Sequence, residues 1–328
     1  MGILSNVLVD QLGGFISMFM SAIMSLIVAF GGISIPSTDA TINQTSDATV
    51  MDFVVVGDPQ ICNYNPEREM SFIAACDDLK NSDEEFDAYV ALGDIAENGF
   101  QEEFDTVAAN LQGVNAKNFI MIAGNHDIRL RDYEQSKNTF LSFMNSLNTE
   151  ENAQDSLYYS YEVEGYKFVV IASEEARFED AYISDAQLEW LDAEVADATK
   201  DGKPVFVATH YPLKDTHGLP DTWSNSLWES GTIGEQSQAI YDILNKYENV
   251  ILLTGHLHTG FGQYTYQKIG NTHGINLPSV AIENKDGEYN NAGTGFYVEV
   301  ENDEVTFHAR DFAQGVNLPQ FDIVIPVK

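Results

Sequence analysis

Basic residues are scarce in this chain. Its 328 residues include 16 Lys and Arg against 51 Asp and Glu, a formal net charge of −35. A field of that sign repels polyanions at long range, which argues against nucleic acid as a partner. Cysteine is nearly absent, and two residues cannot build a disulfide framework. Cys62 and Cys76 flank the first helical stretch, and could either pair in an exported chain or pack as free thiols. Histidine is sparse too, at seven, so the place of each one matters. The 24 glycines match ordinary usage, which excludes collagen-like and low-complexity chains. What is present is ample core material: 44% hydrophobic and 11% aromatic residues. The length suits one large domain or two ordinary ones.

No Lys or Arg occurs before Arg68, and no charged residue of either sign falls between Leu12 and Ile35. That run, with Phe15, Phe19, Ile23, Leu26, Ile27 and Phe30, is long enough to cross a bilayer, where ~20 residues are needed. Glycines and serines dilute it, and the basic opening of a signal peptide is missing. Residues 1–36 are therefore read as an apolar leader, either an export signal or a membrane anchor; an amphipathic helix packed on the protein is the competing reading. Export would place the chain outside the cell or on its membrane; without it the chain is cytoplasmic. The Ser/Thr/Asn/Asp-rich residues 37–49 read as a linker. One domain is expected over residues 50–328.

Within it, short apolar runs alternate with helical stretches. Met51–Val56, Phe86–Leu92, Phe119–Ala123, Pro204–Thr209 and Val250–Thr254 have the length and apolarity of strands buried on both faces. Helices are expected over Pro66–Lys80, Gly99–Gln112, Tyr133–Leu147, Ser184–Thr199 and Glu235–Tyr247. This alternation predicts an α/β fold with central sheets flanked by helices. Towards the end the texture turns β-rich. Tyr158–Val163 with Lys167–Ala172, and Gly295–Val300 with Val305–Ala309, read as hairpins, and Phe321–Val327 as a closing edge strand. The long segment Tyr211–Gly234 has no clear period.

Each of the five apolar runs ends in residues suited to chemistry: Asp58-Pro59-Gln60, Gly93-Asp94-Ile95-Ala96-Glu97-Asn98, Gly124-Asn125-His126-Asp127, His210, and Gly255-His256-Leu257-His258. In such sheets, sites form at the carboxyl ends of strands. One Gly-Asp after a strand is commonly only a turn. Four of the seven histidines falling in this ordered set is a different matter, because imidazole and carboxylate together suit divalent transition metals.

The set resembles the signature of the calcineurin-like metallophosphoesterases: Asp-x-His, Gly-Asp-x-x-(Asp/Glu), Gly-Asn-His-(Asp/Glu), a lone His, and Gly-His-x-His. Four motifs fit, and the first departs from the pattern, with Gln60 in the place of His. The resemblance spans about Asp52 to His258 and implies the layered metallophosphoesterase fold with a β-rich C-terminal tail. It further implies two divalent ions (Mn, Fe, Zn or Mg), one on Asp58, Gln60, Asp94 and His258, the other on Asp94, Asn125, His210 and His256. Asp94 would bridge them. His126 would sit beside the substrate as acid or phosphate-stabilising group, with Asp127 orienting it. The activity implied is hydrolysis of phosphoric mono- or diesters by a hydroxide between the metals, on a small phosphoester substrate. The alternative is a weakened member of the fold kept as a binding or scaffold protein at the cell surface, with Gln60 as its one support. Glu97 and Asn98 are read as supporting groups. Arg129, Arg177 and Lys214 are among the few cations available to grip a phosphate, and none is singled out. Tyr211, Trp223 and Trp228 read as packing aromatics, and His217 as a solvated loop residue.

Overall fold

The computed structural model describes residues 46, 48–83, 85–218 and 231–328. The leader, most of the linker, Trp223 and Trp228 lie outside the described residues. Among the described residues, thirteen strands form two sheets. The first has the order β12-β11-β10-β1-β2-β3, with β13 also paired to β11. Its strands are β1 (Met51–Val56), β2 (Ala88–Leu92), β3 (Phe119–Ile122), β10 (Thr294–Val300), β11 (Glu304–Asp311), β12 (Val316–Asn317) and β13 (Ile323–Pro326). The second has the order β4-β5-β6-β7-β9-β8. It is built from β4 (Tyr159–Val163), β5 (Tyr166–Val170), β6 (Val205–Ala208), β7 (Val250–Thr254), β8 (Tyr266–Ile269) and β9 (Thr272–Asn276). In the first sheet β1, β2 and β3 run parallel at one end and the C-terminal strands pair antiparallel at the other; in the second a parallel centre carries antiparallel edges, the mixed α/β architecture expected.

The sheets face each other through aromatic side chains. Phe53 of β1 meets Phe168 of β5 edge-on at 5.2 Å and Phe206 of β6 at 5.1 Å, and the latter two stack at 4.9 Å. All three are fully buried, each contributing roughly 1.5–3 kcal/mol. Phe72, Phe104, Phe140 and Met144 join the same core. They come from α1 (Pro66–Lys80), α2 (Gln101–Leu111) and α4 (Tyr133–Ser146). On the second sheet, Leu191 and Val195 of α5 (Asp185–Ala198) and Ile240 and Leu244 of α6 (Ser237–Leu244) cover Val169, Val205 and Leu252. Local chemistry starts these helices: Asn65, Asp132 and Ser184 each accept from a first-turn N–H, at 3.2 Å in all three cases.

The hairpin expected from β4 to β5 turns at Glu164 and Gly165, both at positive φ (48° and 76°), as a tight two-residue turn requires. Other expectations shift. β8 and β9 had no counterpart in the sequence reading. Cys76 lies inside α1 rather than flanking it, and both cysteines are buried free thiols, which removes the disulfide. His217 is buried rather than solvated, its Nδ1 2.8 Å from the Tyr264 carbonyl, and burial pushes its pKa down to about 4.

Candidate metal centre

Five strand ends converge, three from the first sheet and two from the second. Asp58 and Gln60 follow β1, and Asp94 follows β2. Asn125 and His126 open α3 (Asn125–Ile128), a single turn after β3. His210 follows β6, while His256 and His258 follow β7. Asp58, Gln60, Asp94, His256 and His258 all hold left-handed backbone, with φ between 44° and 74°. Such strain is uncommon outside glycine and clusters where side chains must be aimed. Gly93, at φ +85°, lets β2 pass against His210; a Cβ there would lie 2.6 Å from the ring's Cγ.

Two groupings result. Ligand atoms of Asp94, His210 and His256 all lie within 4.8 Å of one another, and so do those of Asp58, Asp94 and His258. Asp94 belongs to both. Its Oδ2 is 3.3 Å from His210 Nε2, and Asp58 Oδ1 is 3.2 Å from His258 Nε2. His210 Nδ1 is 2.8 Å from the Leu92 carbonyl, which turns Nε2 inward, 3.1 Å from Asn125 Oδ1 and 3.0 Å from His256 Nδ1. Asn125 is itself aimed by its amide N–H, which donates to the Phe178 carbonyl at 2.6 Å. Gln60 contributes a buried Oε1 with no hydrogen-bond partner, an unused acceptor of the kind a cation takes up. Burial alone would raise the Asp94 carboxyl, but His210, His126 and His256 hold it well below the carboxylate range. Burial, then the His210 neighbour, keeps His256 neutral, the form in which imidazole binds metal. The donor set fits divalent ions.

His126 borders this cluster. Its Nδ1 lies 2.7 Å from the Glu97 carbonyl and its Nε2 2.9 Å from Gln60 Nε2. Burial pushes its imidazolium down, but Asp94 and Glu97 outweigh that and leave it above its ordinary value. Glu97 also pairs with Arg68. Asn98 bonds Glu103 instead, at 2.8 Å, and supports the α2 start rather than the site. Asp127, expected to orient His126, accepts through its carboxylate from the backbone of Ile95, Ala96 and Gly124. Burial, then Asp94, pushes Asp127 up to about 7 against the pull of those three donors.

The cluster opens into a cavity of about 360 Å³. Three residues on its wall were not anticipated: Glu179, Lys285 and Asp286. Glu179 pairs with Arg129 at 3.0 Å and approaches His256 Nε2 to 3.8 Å. Arg177 pairs with Glu175, so it is engaged elsewhere. A larger cavity of about 620 Å³, beside Lys214 and Lys268, holds none of the motif residues. Chemistry, not size, selects the smaller one.

Comparison with known proteins bears on the same residues. Residues 51–260 match the family model described as calcineurin-like phosphoesterase. The chain belongs to the calcineurin-like phosphoesterase family. It is a hydrolase of phosphoester bonds, dependent on a divalent metal centre. A 3',5'-cyclic-nucleotide phosphodiesterase of Nostoc sp. is 22% identical over 65% of this chain and 70% of its own. Among solved structures, a dimetal phosphatase of Danio rerio has the same fold, with a TM-score of 0.61 at 16% identity, over 85% of this chain and all of that one. A purple acid phosphatase from yellow lupin (Lupinus luteus) seeds aligns with a TM-score of 0.56 at 14% identity, over 84% of this chain and 53% of its own. The β-rich region that follows the matched residues pairs with β1 through β10, and supplies the cavity wall carrying Lys285.

Proposed function

We propose that the chain hydrolyses small phosphodiesters at a centre of two divalent ions. One would be held by Asp58, Gln60, Asp94 and His258, the other by Asp94, Asn125, His210 and His256. When bound, such ions lower the pKa of coordinated water towards ~7 and neutralise charge on the phosphoryl oxygens. The observation that carries this reading is Asp94, whose carboxylate belongs to both ligand groupings. His126 holds a proton on Nδ1 against the Glu97 carbonyl and presents Nε2 towards Gln60 and the cavity. Asp94 and Glu97 raise its pKa above the ordinary imidazole value, which favours the protonated ring, the state that can protonate a departing alkoxide or steady the phosphoryl oxygens. A cavity of about 360 Å³ suits a small molecule. The Nostoc relative's described activity favours diesters over monoesters.

The test combines elemental analysis with chromogenic assays on bis(p-nitrophenyl) phosphate and p-nitrophenyl phosphate. About two metals per chain, loss of activity on chelation and faster diester cleavage are expected. A fully metal-loaded protein that cleaves neither substrate would overturn the reading in favour of a fold kept for binding.

A further inference from the structure

We infer that Lys285 is a substrate-binding residue whose ammonium engages a non-bridging oxygen of the phosphoryl group; this rests on the hydrolytic reading of the site. Among the described residues lining the cavity, Lys285 is the single Lys or Arg. It is exposed and makes no ion pair among the described residues, whereas Arg68, Arg129 and Arg177 are each tied to a glutamate. Its side chain is free to move, but its backbone is fixed. The Lys285 N–H donates to the His258 carbonyl at 2.9 Å, and its own carbonyl accepts from Gly260 at 2.9 Å. Gly287 packs directly on Gly260, where a Cβ would lie 2.5 Å from the carbonyl.

The neighbouring residue anchors the loop from below. Buried Asn284 accepts from Ser279 N–H at 2.7 Å and donates to the Ser279 carbonyl at 3.0 Å. The Ser279 hydroxyl in turn donates to the Asp58 carbonyl at 2.7 Å. Asp58, Ser279, Asn284, Lys285 and His258 thus form one continuous run of bonds, which holds the Lys285 backbone beside two proposed metal ligands. In a chain of net −35, an anionic substrate meets repulsion until it reaches the metals. A cation on the cavity wall, among the carboxylates of Asp286 and Glu179, offsets that repulsion locally.

The test titrates inorganic phosphate into the metal-loaded full chain by calorimetry, with metal content measured in every variant. Lys285→Met should weaken phosphate binding by about 10- to 100-fold, the range of a charge-assisted hydrogen bond, with the metals retained. Lys285→Arg should restore binding to within a few-fold. On bis(p-nitrophenyl) phosphate, KM should rise more than kcat falls, and kcat/KM should become less sensitive to salt. Phosphate binding equal in Lys285→Met and wild type would overturn the assignment, as would loss of metal in that variant. Failure of the hydrolytic reading looks different, since wild type itself would then be inactive.

Discussion

Asp127 gives the sharpest test of what holds the site in shape. Its Oδ2 accepts from Gly124 at 2.8 Å and Ile95 at 3.2 Å, and its Oδ1 from Ala96 at 2.9 Å, all buried backbone donors. Asp127→Asn preserves shape while converting one oxygen to an amino group. However that amide sits, at least one backbone N–H then faces another donor. A buried polar group left unsatisfied costs ~1–3 kcal/mol. Counting the stranded N–H and the new amino group, the variant should lose about 2–4 kcal/mol. Asp127→Ala strands three donors and should lose about 3–6 kcal/mol, a large share of the ~5–15 kcal/mol typical of a domain. Urea unfolding of metal-stripped and metal-loaded protein measures both. Because Ile95 and Ala96 follow Asp94, and Gly124 precedes Asn125, metal retention should fall together with stability. An Asp127→Asn protein within ~0.5 kcal/mol of wild type, the range of ordinary surface changes, would refute the account. Unchanged stability with a displaced kcat pH profile would also refute it, since that is what direct pairing with His126 predicts.

Other variants probe separate parts. His126→Ala should keep its metals and lose ~10²–10⁴ in kcat, checked by elemental analysis beside the diester assay. Gly93→Ala should lose metal and activity together, because its Cβ would displace the His210 ring, and full metal content after dialysis would contradict the contact. Gln60→His should shift metal preference towards Zn²⁺ or iron over Mn²⁺, because a softer nitrogen replaces an oxygen donor. Identical rankings in titrations of the metal-free proteins would count against Gln60 as a ligand. His308 sits 2.9 Å from Glu299 and 3.2 Å from Asp322, which raise its pKa from 6.5 to about 9. Stabilisation from a raised cation is complete below about pH 6.5 and lost as pH rises through about 9. His308→Gln should therefore cost ~1 kcal/mol near pH 6, after screening of its part-exposed ring, and nothing near pH 10; a pH-independent cost in urea unfolding would exclude the charge.

The convergence of Asp58, Asp94, His210, His256 and His258 was readable in the sequence because each follows an apolar strand. A strand's carboxyl end has a fixed address in the sheet, so order along the chain translates into convergence in space. The residues that strands do not address were read less well. Asp127 follows His126 directly, and the family resemblance implied an orienting partner for it. In the single turn of α3, however, neighbouring side chains point different ways, and Asp127 faces the backbone of the preceding loops. β8 and β9 escaped notice because an edge strand of pattern Tyr266–Ile269, half exposed, and Thr272–Asn276, with His273 and Gly274 mid-run, carry no apolar alternation. His217 looked solvated among Asp215, Thr216 and Gly218, yet it is buried against Gly274, a contact made across 57 residues of chain that local polarity does not encode.

Glu179 and Lys285 had the weakest signals of all, and they set the electrostatic character of the cavity mouth. Glu179 stands in an acidic stretch with Glu174, Glu175 and Asp180, where nothing marks one carboxylate from the next. Lys285 stands in an Asn-Lys-Asp-Gly sequence that reads as an ordinary turn. What distinguishes them is loop architecture: the Phe178 carbonyl that aims Asn125 is next to Glu179, and the His258 carbonyl that holds the Lys285 N–H belongs to a proposed ligand. Each wall residue is therefore fastened to a residue of the metal centre through its own or its neighbour's backbone. An acidic chain can process an anion under these conditions only if positive charge is confined to where the anion reacts. The proposed metals supply that charge from the strand ends, and Lys285 extends it by one residue's reach towards solvent. Changing Lys285 should thus alter how substrate arrives and is held, while changing Asp94 should remove the centre itself.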